Sequence, residues 1–180
     1  MNFPFQALKI TETAAAFLEK QGGAMEVLKL VKLLYLADRK SIELRGVPIF
    51  GGSYFSLPHG PITSEGLDLI NGKGRYEDQI LWDKLISERN GNLLTLRGKP
   101  TAGEISKSEI KILVSVFEQH GQKTASALRN WCHDNVKEYE ETSGSVPITL
   151  KEIGLAVGMD PEVIAEEAEA YRFLENALAY

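Results

Sequence analysis

The chain has 180 residues, 43% of them hydrophobic and 25% charged, with a formal net charge of −5. That balance excludes a largely disordered chain, and the length suffices to bury a core without metal or disulfide staples. The single cysteine, Cys132, excludes an internal disulfide framework, and no apolar run approaches the ~20 residues of a membrane helix.

The opening stretch, MNFPFQALKITETAAAF, has no basic start followed by an apolar core, so no secretory signal is expected and a reducing cytoplasm is the expected location. Ile10, Ala14, Phe17 and Leu18 recur at helical spacing and predict a first helix over residues 6–20, ended by Gly22-Gly23. A second helix is predicted over 24–45. Met25, Val27, Leu28, Leu30, Val31, Leu33, Leu34 and Leu36 leave almost no polar stripe before Asp38, the pattern of a helix packed on several sides. Gly46 stops it, and Pro48 prevents its return. Residues 47–60, VPIFGGSYFSLPHG, predict a loop with short extended pieces around 49–50 and 54–57, and Pro61 suits the first position of a short helix over 61–71. Residues 79–97 predict a hairpin in which 81–89 and 92–97 flank Asn90-Gly91, a pair suited to a type I′ turn.

Ser106 and Glu109 match a capping box opening a helix over 106–119, with Ile110, Leu113, Val114 and Phe117 as its expected buried stripe. A helix over 123–135 follows, with Ala125, Leu128 and Cys132 on one face, and residues 137–147 read as a loop. Thr149 and Glu152 form a second capping box, for a helix over 149–157. Asp160 caps a final helix that buries Val163, Ile164, Tyr171, Leu174 and Leu178. The expected fold is mostly α (α+β), with five to seven helices around central helix 24–45 and one small hairpin near 79–97. Its expected organisation is a helical domain over 1–145 and an acidic helical hairpin over 146–180.

No pattern points to catalysis, a metal or a cofactor. His59, His120 and His133 lack metal-ligand spacing, and the adjacent Cys132 and His133 would point about 100° apart on a helix. The glycines form no phosphate loop. Residues 149–178 have the outline of a helix-turn-helix, but residues 160–180 hold six acids (Asp160, Glu162, Glu166, Glu167, Glu169, Glu175) against Arg172. That segment carries the whole net charge, and its face repels phosphates, so a packed hairpin is favoured over a nucleic-acid interface.

One stretch is more specific. Lys32-Leu33-Leu34-Tyr35-Leu36-Ala37-Asp38 is followed by Gly46-x-Pro48-Ile49, Tyr54 and His59-Gly60-Pro61-Ile62, and later by LRNWCH, residues 128–133. In that order these pieces resemble the Panacea domain of the SocA-like antitoxin family, over about residues 6–140. The chain departs from the pattern at Gly52, where members often carry an acidic or polar residue. The resemblance implies an antitoxin of a bacterial or phage toxin–antitoxin system that neutralises a toxin by direct protein contact, with no catalytic chemistry. One family branch acts as a proteolytic adaptor for an ATP-dependent protease, which is the first alternative. A hydrolase using His59 or His133, or a DNA-binding regulator, are the others.

Within the motif, Tyr35, Asp38, Arg39, Gly60, Pro61 and His133 read as structural; a buried Asp38 would need a base or a loop amide as partner. Tyr54, Phe55 and His59 lie where glycines and prolines fix the backbone and are candidate partner contacts, with roofing of the core as the competing reading. Glu166 and Glu169 on the acidic helix are the second candidate surface, for a basic partner.

Overall fold

The computed structural model describes residues 2–99 and 103–178. Among them the elements run α1 (Ala7–Lys20), β1 (Ala24–Glu26), α2 (Val27–Arg45), β2 (Tyr54–Leu57), β3 (Gly60–Thr63), α3 (Ser64–Ile70), α4 (Tyr76–Leu85), β4 (Leu93–Thr95), α5 (Lys107–His120), α6 (Ala125–Asn135), β5 (Val146–Ile148), α7 (Leu150–Val157) and α8 (Pro161–Leu178). The fold is mostly helical, with two small antiparallel sheets. Helix α2 is apolar nearly all round because α1, α3, α5, α6, α7 and β3 all pack on it. Leu30, Leu33, Leu34, Tyr35 and Ala37 are fully buried, and Gly46 ends the helix with φ +76°, which only glycine adopts freely. No helix among the described residues is long and apolar enough to cross a membrane.

Several expectations need correction. Residues 24–26 are not the first turn of α2. They form β1, held by β4 in the register Met25↔Leu94, and the Val27 N–H donates to the Asn92 carbonyl. Pro61 does not open a helix. It lies in β3, an outer strand of the sheet β3-β2-β5, where a missing N–H costs no bond on the free side. Helix α3 starts three residues later.

The predicted hairpin is shorter and shifted. Helix α4 takes residues 76–85, with Glu77 and Asp78 in its first turn, Lys84 in its last and Trp82 buried, so charge and burial both favour a helix there. The remaining hairpin pairs Ile86 with Leu96 and Asn90 with Leu93, which puts Gly91-Asn92 at the turn centre. Only Gly91 has positive φ, the glycine-first arrangement of type II′ turns.

On α5 the buried stripe is Ile112, Leu113 and Val116 with Glu109, and Ile110 is exposed. The helix is rotated so that the Glu109 carboxylate accepts from Lys9 Nζ (2.8 Å) and Arg45 Nη1 (3.1 Å). Both capping boxes form, Ser106 with Glu109 and Thr149 with Glu152. Residues 137–147 are not loop to their end. Strand β5 pairs with β2 through Tyr54↔Ile148 and Ser56↔Val146, and α7 buries Leu150 and Ile153. Helix α8 buries only Ile164 and Ala168, while Val163, Leu174 and Leu178 face outward.

Candidate partner-binding site

The motif residues of α2 organise two buried networks. Asp38 is buried one turn after Leu34, on the face that meets the chain returning from Gly46. Its carboxylate accepts from the N–H groups of Ile49 (2.7 Å), Phe50 (3.1 Å) and Gly51 (3.1 Å) and from the Tyr54 hydroxyl (2.9 Å). It therefore satisfies the amides of a tightly turned segment that has no ladder of its own. Burial pushes the Asp38 carboxyl up to about 7, against the pull of these four donors.

On the next residue, about 100° round the helix, Arg39 donates from Nε to Glu138 Oε1 (2.6 Å) and from Nη2 to Oε2 (3.2 Å), and the Tyr35 hydroxyl donates to the same Oε1 (2.8 Å). The Glu138 side chain is fully buried. This cluster ties the segment after α6 to the central helix. Burial and the Glu138 charge push the Tyr35 phenol well above its ordinary value, so it stays a donor.

Tyr54 is not a surface residue, which corrects the expectation that its ring offers partner contact. It is 2% exposed, with its hydroxyl on Asp38 and its ring edge-on to Tyr35 at 6.0 Å. Phe55 is half-buried against the core and stands between Ile62 and Pro147 in the sheet. His59 is exposed at the tip of the β2–β3 hairpin. Gly60 has φ +101°, and a Cβ there would lie 3.0 Å from Lys32 Nζ, while Lys32 Nζ donates to the Pro61 carbonyl at 2.9 Å. His133 sits beside the same hairpin, its ring 4.5 Å from that of Tyr139. At Gly52 the space of a side chain is filled by the Glu65 carboxylate, 2.6 Å from the Cβ position. Burial pushes the Cys132 thiol up to about 11, which keeps it protonated and unreactive.

Glu166 and Glu169 are exposed on α8. Together with Glu162 and Phe173 they recur at i, i+4, i+7 and i+11 and form one stripe. Val163, Ala170 and Leu174 lie beside it. The helix is anchored near its start, where Ile164 packs against Gly154, and again at Tyr171, edge-on to Phe3 at 5.6 Å. Beyond it Phe173 is 74% exposed, Leu174 57% and Leu178 85%. Large apolar side chains bared together on one helix mark a candidate contact face.

Sequence reasoning missed Glu138 and Lys32 as members of these clusters. Glu138 stood among the acids of a stretch read as loop. Lys32 was, with Lys29, one of two charged residues in the apolar run before Asp38, and that was the available signal.

A family model described as antitoxin SocA-like, Panacea domain, matches residues 30–137. The span runs from within α2 to just past α6 and takes in both buried networks up to one residue short of Glu138. No curated protein and no solved structure matches the chain.

Proposed function

The chain belongs to the SocA-like antitoxin family through its Panacea domain, and on that premise we propose that it neutralises a cognate toxin in the cytoplasm by direct contact, covering or distorting the toxin's active surface. The observation that carries the mechanism is α8, a helix tied to the domain through Ile164 and Tyr171 and baring Phe173, Leu174 and Leu178 in its last turns. The interleaved carboxylates of Glu162, Glu166 and Glu169 favour a partner with a basic, apolar surface. A stable occluding contact buries on the order of 1,200–2,000 Å², so α8 supplies part of it and the neighbouring body the rest. The role needs binding and no reaction.

Co-expression with the neighbouring gene tests this reading. The neighbour alone should arrest growth, and this chain should restore it while co-purifying as a stable complex. Phe173→Glu with Leu174→Glu should abolish rescue, and Glu166→Lys with Glu169→Lys should weaken it. All four side chains are exposed, so stability should move by no more than about 0.5 kcal/mol. A harmless neighbour, or full rescue by the α8 variants, would sink the proposal. The adaptor reading is favoured by one observation, that α8 and the β2–β3 hairpin tip offer two separate surfaces, as delivery to a protease requires. It predicts that the toxin accumulates when this chain is removed only while the protease is present.

A further inference from the structure

Between the start of α2, the β2–β3 hairpin and the start of α6 lies a cavity of about 580 Å³. Its walls are apolar, including Val27, Leu28, Val31, Leu57 and Ile62, and its rim carries His59 and Arg89. One acid, Glu26, also lines it. Lys32 lines it too and is 1% exposed. Among the described residues the Lys32 ammonium forms no ion pair, and its one acceptor is the Pro61 carbonyl. Two of its three N–H donors therefore lack an acceptor.

The neighbours make the shortage worse. His133 Nε2 and Arg129 Nε are both buried without a hydrogen-bond partner. His133 Cδ2 and Lys32 Nζ both lie within 3.5 Å of the point a Gly60 Cβ would occupy, so these groups converge on one place. Burial pulls the Lys32 ammonium down to about 8, and the Arg129 charge adds to that. A buried ammonium short of acceptors and a guanidinium nitrogen without one are costly as they stand. Of the three residues, Lys32 is the one that lines the cavity, and a carboxylate entering there would supply the acceptor it lacks.

We infer that this cavity is a peptide-binding site, and that its occupant is a short apolar segment of a partner protein whose single Asp or Glu side chain reaches Lys32. The apolar walls call for an apolar carrier, and the volume exceeds what one side chain fills. The positive floor sets the sign of the charge, opposite to the basic partner surface that α8 favours. The inference stands on the cavity alone and does not depend on α8, so failure of the α8 variants and failure of this site are separate results.

The test pans a random heptapeptide display library on the full chain and counter-selects on Leu28→Glu, a half-buried wall position where a new carboxylate repels the ligand. Enriched clones should share one Asp or Glu flanked by Leu, Ile, Val or Phe. A synthetic peptide from them should bind about tenfold or more weakly once its acid is changed to the amide. Lys32→Gln and Lys32→Met should erase that preference for acid over amide. Lys32→Met removes the buried charge and keeps the apolar stem, so it keeps the test decisive if Lys32→Gln unfolds. Clones without a shared acid, equal binding of the acid and amide peptides, or an unchanged preference in a folded Lys32 variant overturn the inference. Self-association of the wild type that Leu28→Glu abolishes also overturns it, by giving the cavity to a second copy of this chain.

Discussion

Removing the Asp38 carboxylate is the sharpest test of how the motif works. Asp38→Ala strands three loop N–H groups and the Tyr54 hydroxyl, all in the dry interior. An unmet buried donor costs about 1–3 kcal/mol, so four give about 4–12 kcal/mol before the loop relaxes. The carboxylate's own burial cost, several kcal/mol, disappears at the same time, leaving an expected net loss of about 3–5 kcal/mol. For a chain of this size that lowers the melting temperature by about 6–20 °C. Asp38→Asn keeps one acceptor oxygen for Ile49 and Phe50 and turns an NH₂ toward Gly51 and Tyr54. The tyrosine hydroxyl can rotate to accept, so one donor–donor clash remains and the loss is about 1–3 kcal/mol.

The pH dependence has a definite sign. The Asp38 carboxyl is raised from 3.8 to about 7, so across that window the folded protein keeps a proton the unfolded chain has released. Its contribution to stability is full at the acid end and is lost as pH rises through the window. The gap between wild type and Asp38→Asn should therefore narrow as pH rises. Urea unfolding followed by tryptophan fluorescence measures all three proteins. A loss below about 1 kcal/mol for Asp38→Ala, or a gap that widens with pH, would refute the reasoning.

Glu138→Ala should cost about 3 kcal/mol by leaving the Arg39 guanidinium and Tyr35 hydroxyl unpaired, and adding Arg39→Met should recover part of it; strictly additive losses in urea unfolding would argue against the cluster. Gly60→Ala, forced to φ +101° with its Cβ 3.0 Å from Lys32 Nζ, should lower stability by about 1–3 kcal/mol. Gly72→Ala, at φ +67° in open space, should lose only about 1–2 kcal/mol, and calorimetry of the pair separates crowding from backbone strain. Ser106→Ala removes the cap of α5 and should cost about 1 kcal/mol, read as a lowered melting temperature.

How much of this was legible depended on how local the cause was. The course of α2 from Val27 to Gly46 follows from its apolar run and its stop, and the capping boxes at Ser106 and Thr149 follow from residues three apart. Strand β1 did not follow, because Ala24-Met25-Glu26 suits a helix and its partner Leu93–Thr95 lies far along the chain. Strand β5 was hidden for a related reason: Val146-Pro147-Ile148 is locally suited to extended backbone, but its pairing partner β2 lies about ninety residues back. The exposed apolar side of α8 was misread because periodicity gives a stripe without saying whether a neighbour covers it. In the candidate site, burial reversed Tyr54, and only the fold shows that Lys32 and His133 meet at one hairpin.

The pairing of β2 with β5 also fixes an order of events during synthesis. The β2–β3 hairpin is complete once residue 63 is made, yet the outer edge of β2 finds its partner only when residues 146–148 emerge. At about 5–20 residues per second, the ribosome leaves that edge bare for roughly 5–20 s. During this time the nascent chain offers an unpaired strand to any extended segment nearby. Strand β5 thus closes the sheet long after β2 is made, and a chain stalled before residue 146 would be a ready substrate for chaperones and proteases.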